Sequence, residues 1–129
     1  MQSIMSNVKN SIIEQAVRQA NRSTYYQKIG AVIFNKKRVI SKGYNQIRAS
    51  RRLHPKFQEW PGSVHAEVAA ILNARTGLKN CDILVVRVNN QNQFRLAKPC
   101  KYCQMYLEYV GIKKIYYSID HYPYIERLN

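Results

Sequence analysis

Acidic residues are scarce in this chain of 129: 7 Asp and Glu stand against 21 Lys and Arg, a formal net charge of +14. Such a chain is drawn to polyanions, whether nucleic acid, nucleotides or an anionic surface. Glycine and proline are also few, 5 and 4, and no repeat, low-complexity stretch or flexible linker interrupts the sequence. No apolar run reaches the ~20 residues that a membrane span needs. The opening MQSIMSNVKNSII lacks the apolar block and small-residue cleavage site of a secretory signal. An even set of cysteines is missing too. Cys81, Cys100 and Cys103 make an odd count with two members three apart, which reads as a metal site or redox pair rather than a disulfide framework. A reducing, cytoplasmic setting with no membrane partner is the expectation.

What is present suits one folded domain over residues 1–129. The hydrophobic fraction is 46% and the charged fraction 22%, which argues against disorder. Ile4, Val8, Ile12 or Ile13, Ala16 or Val17, and Ala20 recur at helical spacing, so residues 4–21 read as a first helix. IGAVIF at 29–34 is a compact run rich in β-branched residues, hence a buried strand. Residues 35–37 form a polar turn, and RVISKGY at 38–44 returns as a hairpin partner. A long polar segment, 45–63, has no evident structure of its own, and such a loop is usually functional. Residues 64–75 read as a helix with Ser63 as its cap and Gly77 as its stop. Residues 81–88 read as a strand, 99–110 as a helix entered at Pro99, and 112–118 as another strand. The last eleven residues suggest a short terminal helix or turn. This order predicts an α/β fold, a single-domain three-layer α/β/α sandwich on a central mixed sheet.

Chemistry concentrates in two places. His65-Ala66-Glu67 opens one predicted helix and Pro99-Cys100-Lys101-Tyr102-Cys103 opens another. Cysteines at i and i+3 share one face of a helical turn. With one distant histidine they give Zn²⁺ three protein ligands and leave a fourth position open, the catalytic rather than the structural arrangement. Helix N-termini also favour thiolate. Glu67, two residues after His65, stands close enough to move a proton without binding the metal. A Cys-x-x-Cys alone could be a redox pair, and a lone histidine is commonly a cap. The joint pattern His-x-Glu with Pro-Cys-x-x-Cys is far harder to reach by chance. Cys81 starts a strand away from the pair and reads as a small buried apolar residue.

These motifs form the signature of zinc deaminases acting on cytosine or adenine. The chain resembles the cytidine/deoxycytidylate deaminase superfamily over nearly its whole length, in IGAVIFNKKRVISKGYN, SVHAEVAAILNA, KPCKYC and VGIKKIYYS. It looks most like the dCMP deaminase branch. The resemblance implies His65, Cys100 and Cys103 as zinc ligands and Glu67 as proton shuttle. It implies Asn45 as a sugar or base contact and the Ala66 peptide N–H as a base contact. Ile29 and Tyr117 would line the pocket, and Arg48 would approach a phosphate. A homo-oligomer is also implied. Two positions depart from the branch: Gln46 follows Gly-Tyr-Asn where Gly is common, and Lys98 precedes Pro99 where a small residue is frequent.

Three functions compete. The first is hydrolytic deamination of a cytosine nucleotide, dCMP to dUMP, with Arg48, Arg51 and Arg52 near the phosphate. The second is deamination on a nucleic-acid strand, either single-stranded cytosine or tRNA adenosine. That reading draws on the +14 charge and on basic and aromatic residues such as Lys56, Trp60, Lys101 and Tyr102. The third is a non-catalytic zinc module. It leaves Glu67 without a role, and neither His54 nor His121 sits at a ligand-like spacing for a fourth protein ligand.

Overall fold

Two stretches of this chain are apolar on both faces, which forces a sheet covered on both sides. They are the interiors of β1 (Lys28–Asn35) and β3 (Asp82–Val88), where Gly30 to Phe34 and Ile83 to Val86 are all buried. The computed structural model describes residues 8–46 and 65–129. The remaining elements are α1 (Asn10–Arg22), β2 (Arg38–Tyr44), α2 (Ala66–Asn73), β4 (Phe94–Arg95), α3 (Lys101–Tyr109), β5 (Lys114–Ser118) and β6 (Ile125–Arg127). No helix among the described residues is long and apolar enough to cross a membrane.

The sheet runs β2-β1-β3-β5-β6, and β4 pairs with the far end of β3. β3 and β5 are parallel, while the other pairs are antiparallel, so the sheet is mixed. Ile12, Ile13, Ala16 and Ala20 of α1 cover one face, against Val32, Phe34, Leu84 and Val86. Ala66, Val68 and Ala70 of α2, with Cys103 and Leu107 of α3, cover the other, against Ala31, Ile33, Ile83, Val85 and Ile115. The expected three layers are therefore present, with one helix above the sheet and two below.

Close approach fixes the helices. At Gly30 an added Cβ would strike the backbone of Ala16 and Ala20, so α1 lies directly on β1. At Gly43 it would stand 2.8 Å from the carbonyl oxygen of Ala66 and would also strike the Ala70 nitrogen. The β2 strand thus carries the first turn of α2. The Ser41 hydroxyl donates to the Ala70 carbonyl, and Asn73 Nδ2 donates to the Lys42 carbonyl at 2.9 Å. These contacts hold α2 along its length.

The structure differs from the sequence expectation at several ends. α2 begins at Ala66, with His65 and not Ser63 in the capping position, and it ends at Asn73; Ser63 lies outside the described residues. The expected start of the first helix at Ile4 lies outside them too. The tail is neither helix nor turn alone: Ile125–Arg127 returns as a strand beside β5, with Ser118 opposite Ile125. Asn129 fixes that return, accepting from the Ile115 N–H at 3.1 Å and donating to the Lys113 carbonyl at 2.8 Å. β4 was not expected. Asn89 builds the turn before it, its Oδ1 accepting from the N–H groups of Gln91 and Gln93 at 3.0 and 2.9 Å.

Replacing Gly43 by alanine forces α2 away from β2. We expect a loss of about 2–3 kcal/mol, the cost of overpacking a tight contact. The measurement is urea unfolding, with a lower midpoint at unchanged slope. A midpoint equal to that of the parent chain would contradict the close approach.

Candidate active site

Two helix starts meet on one side of the sheet. His65 is the N-cap of α2 and Cys100 the N-cap of α3, both with extended backbone, and neither side chain caps its own helix. Their side chains turn toward each other instead. His65 Nδ1 lies 3.2 Å from Cys103 Sγ and 3.7 Å from Cys100 Sγ. The three ligand atoms all fall within 4.8 Å of one another. Tetrahedral zinc with ordinary Zn–S and Zn–N bonds holds its ligand atoms roughly 3.5–3.8 Å apart. The donor set therefore fits a zinc ion in both chemistry and spacing, and among the described residues no fourth His, Cys, Asp or Glu joins the group. His121 is exposed and pairs with Asp120 instead.

The electrostatics of the cluster are those of a site made for a cation. Cys100 is pulled down to about 4, first by the hydrogen bond from the Cys103 thiol and also by the one from His65. Cys103 is pushed up because its proton is held toward Cys100, and burial adds to this. His65 is raised by its hydrogen bond to Cys100, against the opposing effect of burial. Glu67, on the first turn of α2, is buried, and that burial pushes its carboxyl up. A zinc ion would supply the positive charge that lets both thiols ionise, at the cost of releasing protons. Cys81 is buried apart from the cluster, as expected.

A cavity of about 330 Å³ opens beside this cluster. Ile29, Asn45, Ala66 and Glu67 line it with His65 and Cys100. Asn45 is already engaged, its Oδ1 accepting from the Ile29 N–H at 3.1 Å and its Nδ2 donating to the Gln27 carbonyl at 2.7 Å. Among the described residues, its other amide N–H and its second lone pair take no partner. Tyr117 is not brought to the cavity. It is buried on β5, and its hydroxyl donates to Glu126 Oε2 at 2.9 Å. Arg48, Arg51 and Arg52 lie outside the described residues.

The structure also brings in residues that sequence reasoning missed as part of this site. Tyr25, Tyr26 and Gln27 line the cavity, as do Val85, Arg87 and Leu96. Lys98, singled out in the sequence beside Pro99, lines it as well. Arg87 had a signal: it is the single charge within the run ILVVRV of a central strand. Tyr26, which is 87% exposed, marks the outer edge.

The sequence model of the cytidine and deoxycytidylate deaminase zinc-binding region matches residues 6–119. No curated protein sequence matches the chain. Among solved structures, dCMP deaminase from the cyanophage S-TIM5, in complex with dCMP and dUMP, is similar at TM-score 0.60 and 18% identity. That match covers 88% of this chain and 85% of the other. A diaminohydroxyphosphoribosylaminopyrimidine deaminase/5-amino-6-(5-phosphoribosylamino)uracil reductase from Thermotoga maritima is similar at TM-score 0.56 and 19% identity, covering 88% of this chain and 30% of that one. RibD from Acinetobacter baumannii follows at TM-score 0.54 and 22% identity, covering 83% of this chain and 27% of the other.

The purified chain is expected to carry one zinc ion per polypeptide. Cys103→Ala should reduce that to below about a tenth, because two ligands rarely retain zinc. Elemental analysis after dialysis against a chelator-free buffer measures this. Full zinc content in Cys103→Ala would contradict the ligand set.

Proposed function

Because the chain belongs to the cytidine and deoxycytidylate deaminase family, a family of zinc-dependent hydrolytic deaminases, we propose that its substrate is a cytosine nucleotide and its reaction dCMP to dUMP. The observation that carries the reading is Glu67, a buried carboxyl on the first turn of α2 beside three residues spaced for zinc. A purely structural metal site has no use for such a group. The cyanophage enzyme, similar in fold, binds dCMP and dUMP, which supports the nucleotide as substrate.

His65, Cys100 and Cys103 are the residues that would hold the metal. When bound there, zinc supplies Lewis-acid chemistry that brings the pKa of water towards ~7. The rest of the work falls to the chain. Glu67 accepts a proton from the attacking water and gives one to ring nitrogen N3. Oxygen bonds to C4, the carbon that bears the amino group. Glu67 then takes the remaining proton from the oxygen on C4 and passes it to the amino group, so the C4–N bond breaks, the C4 carbonyl forms, and ammonia leaves with uracil behind. Burial raises the Glu67 pKa above the ordinary carboxylate value, the direction that favours a carboxyl both taking and returning a proton.

Binding would use the cavity wall. The Ala66 N–H is the first of α2 and has no intrahelical acceptor, so it is free to donate to the base carbonyl. Ile29 provides apolar surface to the ring. The remaining N–H and lone pair of Asn45 would meet the sugar or base, and the hydrogen bonds to Gln27 and Ile29 keep that amide from rotating.

Glu67→Gln is expected to retain zinc and fold while dUMP formation from dCMP falls by about 10³-fold, within the range for loss of a general acid–base. Product formation by chromatography, read beside zinc content, tests it. Turnover within a few-fold of the parent chain would contradict the role of Glu67.

A further inference from the structure

The cavity holds a cation that the deamination chemistry does not use. Arg87 follows Ile83 and Val85 on the same face of β3, and both of those are buried against α2 and α3. Strand alternation therefore aims Arg87 at the site side of the sheet, and it lines the cavity half-buried. Its neighbour across β1 is Ile29, another lining residue. Among the described residues its guanidinium makes no ion pair; the one salt bridge joins His121 and Asp120. Among the described residues, Glu67 is the only carboxylate lining the cavity, and it belongs to the reacting end.

A second cation is set beside the first by the backbone. The Ser118 hydroxyl, wholly buried, accepts from the Arg87 N–H at 3.0 Å and donates to the Arg95 carbonyl at 2.6 Å. The Ala97 N–H donates to the Ser118 carbonyl at 2.9 Å. One serine thus fixes the strand that bears Arg87 and the segment that leads to Lys98. β3 and β5 are parallel, and ligands of such sheets bind beyond the carboxyl ends of the strands. Arg87 stands near that end of β3, and Ser118 ends β5.

We propose that Arg87, supported by Lys98, anchors the phosphomonoester of the substrate and so makes the enzyme select a nucleoside 5′-monophosphate over the free nucleoside. The inference deepens the nucleotide reading and rests on it. A planar guanidinium offers paired N–H donors that match phosphate oxygens, and partial burial strengthens those bonds over exposed ones. Lys98 adds a second, exposed charge from the segment beside the metal ligands.

The experiment compares dCMP with deoxycytidine in the zinc-loaded chain, in Arg87→Met and in Arg87→Lys. Arg87→Met is expected to lower the ratio of kcat/KM for dCMP over deoxycytidine by about 100-fold, the loss of a charged hydrogen-bond pair. Most of it should appear in KM. Arg87→Lys should recover part of the ratio. Calorimetry with dUMP and deoxyuridine gives a readout independent of turnover, and dUMP binding should weaken by a similar factor in Arg87→Met. An unchanged ratio, or equal losses on both substrates, would overturn the anchor. A parent chain that turns over neither compound defeats the nucleotide reading instead. In that case the anchor stands if the parent binds dUMP more tightly than deoxyuridine and Arg87→Met abolishes the difference, and falls otherwise. A short single-stranded oligodeoxycytidine is the last probe: if it loses as much as dCMP in Arg87→Met, the group bound is a phosphodiester and the monoester assignment is wrong.

Discussion

The site depends on two helices beginning within a few ångströms of each other. Residues at helix N-caps have extended backbone and side chains free to turn away from the axis. Here both caps are metal-binding residues, His65 and Cys100, and a third, Cys103, follows one turn into α3. Nothing local to either helix would bring those caps together. The sheet does so, because β2 holds α2 through Gly43 and Ser41 while α3 packs on the same face. The carboxyl we propose as proton shuttle comes with the arrangement, since Glu67 lies two residues past the first cap and is buried by the packing that fixes the helix.

Unlike-charged neighbours are few in this chain, and that shapes the site. In keeping with the excess of basic residues, the described residues that line the cavity apart from Glu67 and the metal cluster are neutral or basic. A buried carboxyl beside two thiols is costly without a cation. Zinc would therefore complete the electrostatics as well as the chemistry: it would offset the two thiolates and leave Glu67 as the group we propose to exchange protons.

Much of this was legible in the sequence, for physical reasons that differ between parts. The helix periodicity of residues 8–20 and the apolar runs of β1 and β3 are strong because each buries a long surface. The metal residues were legible because their spacing is local to two helical turns. β4 and β6 are two and three residues long, too short to show alternation, and each exists through side chains of Asn89 and Asn129 bonding to the backbone. Tyr117 was expected at the pocket from the family resemblance, yet its hydroxyl is claimed by Glu126 on a strand that was not foreseen. Arg87 came to the site through pairing across the sheet with Ile29, which one sequence does not reveal, whereas Lys98 was legible from its place two residues before Cys100.

The account rests most directly on three protein ligands around one zinc ion. X-ray absorption at the zinc edge of the loaded chain measures that. We predict two sulfur neighbours at about 2.3 Å and two nitrogen or oxygen neighbours at about 2.0–2.1 Å, one of them from water and replaceable by a substrate analogue. A shell of four sulfurs, or six oxygens with no sulfur, would contradict it.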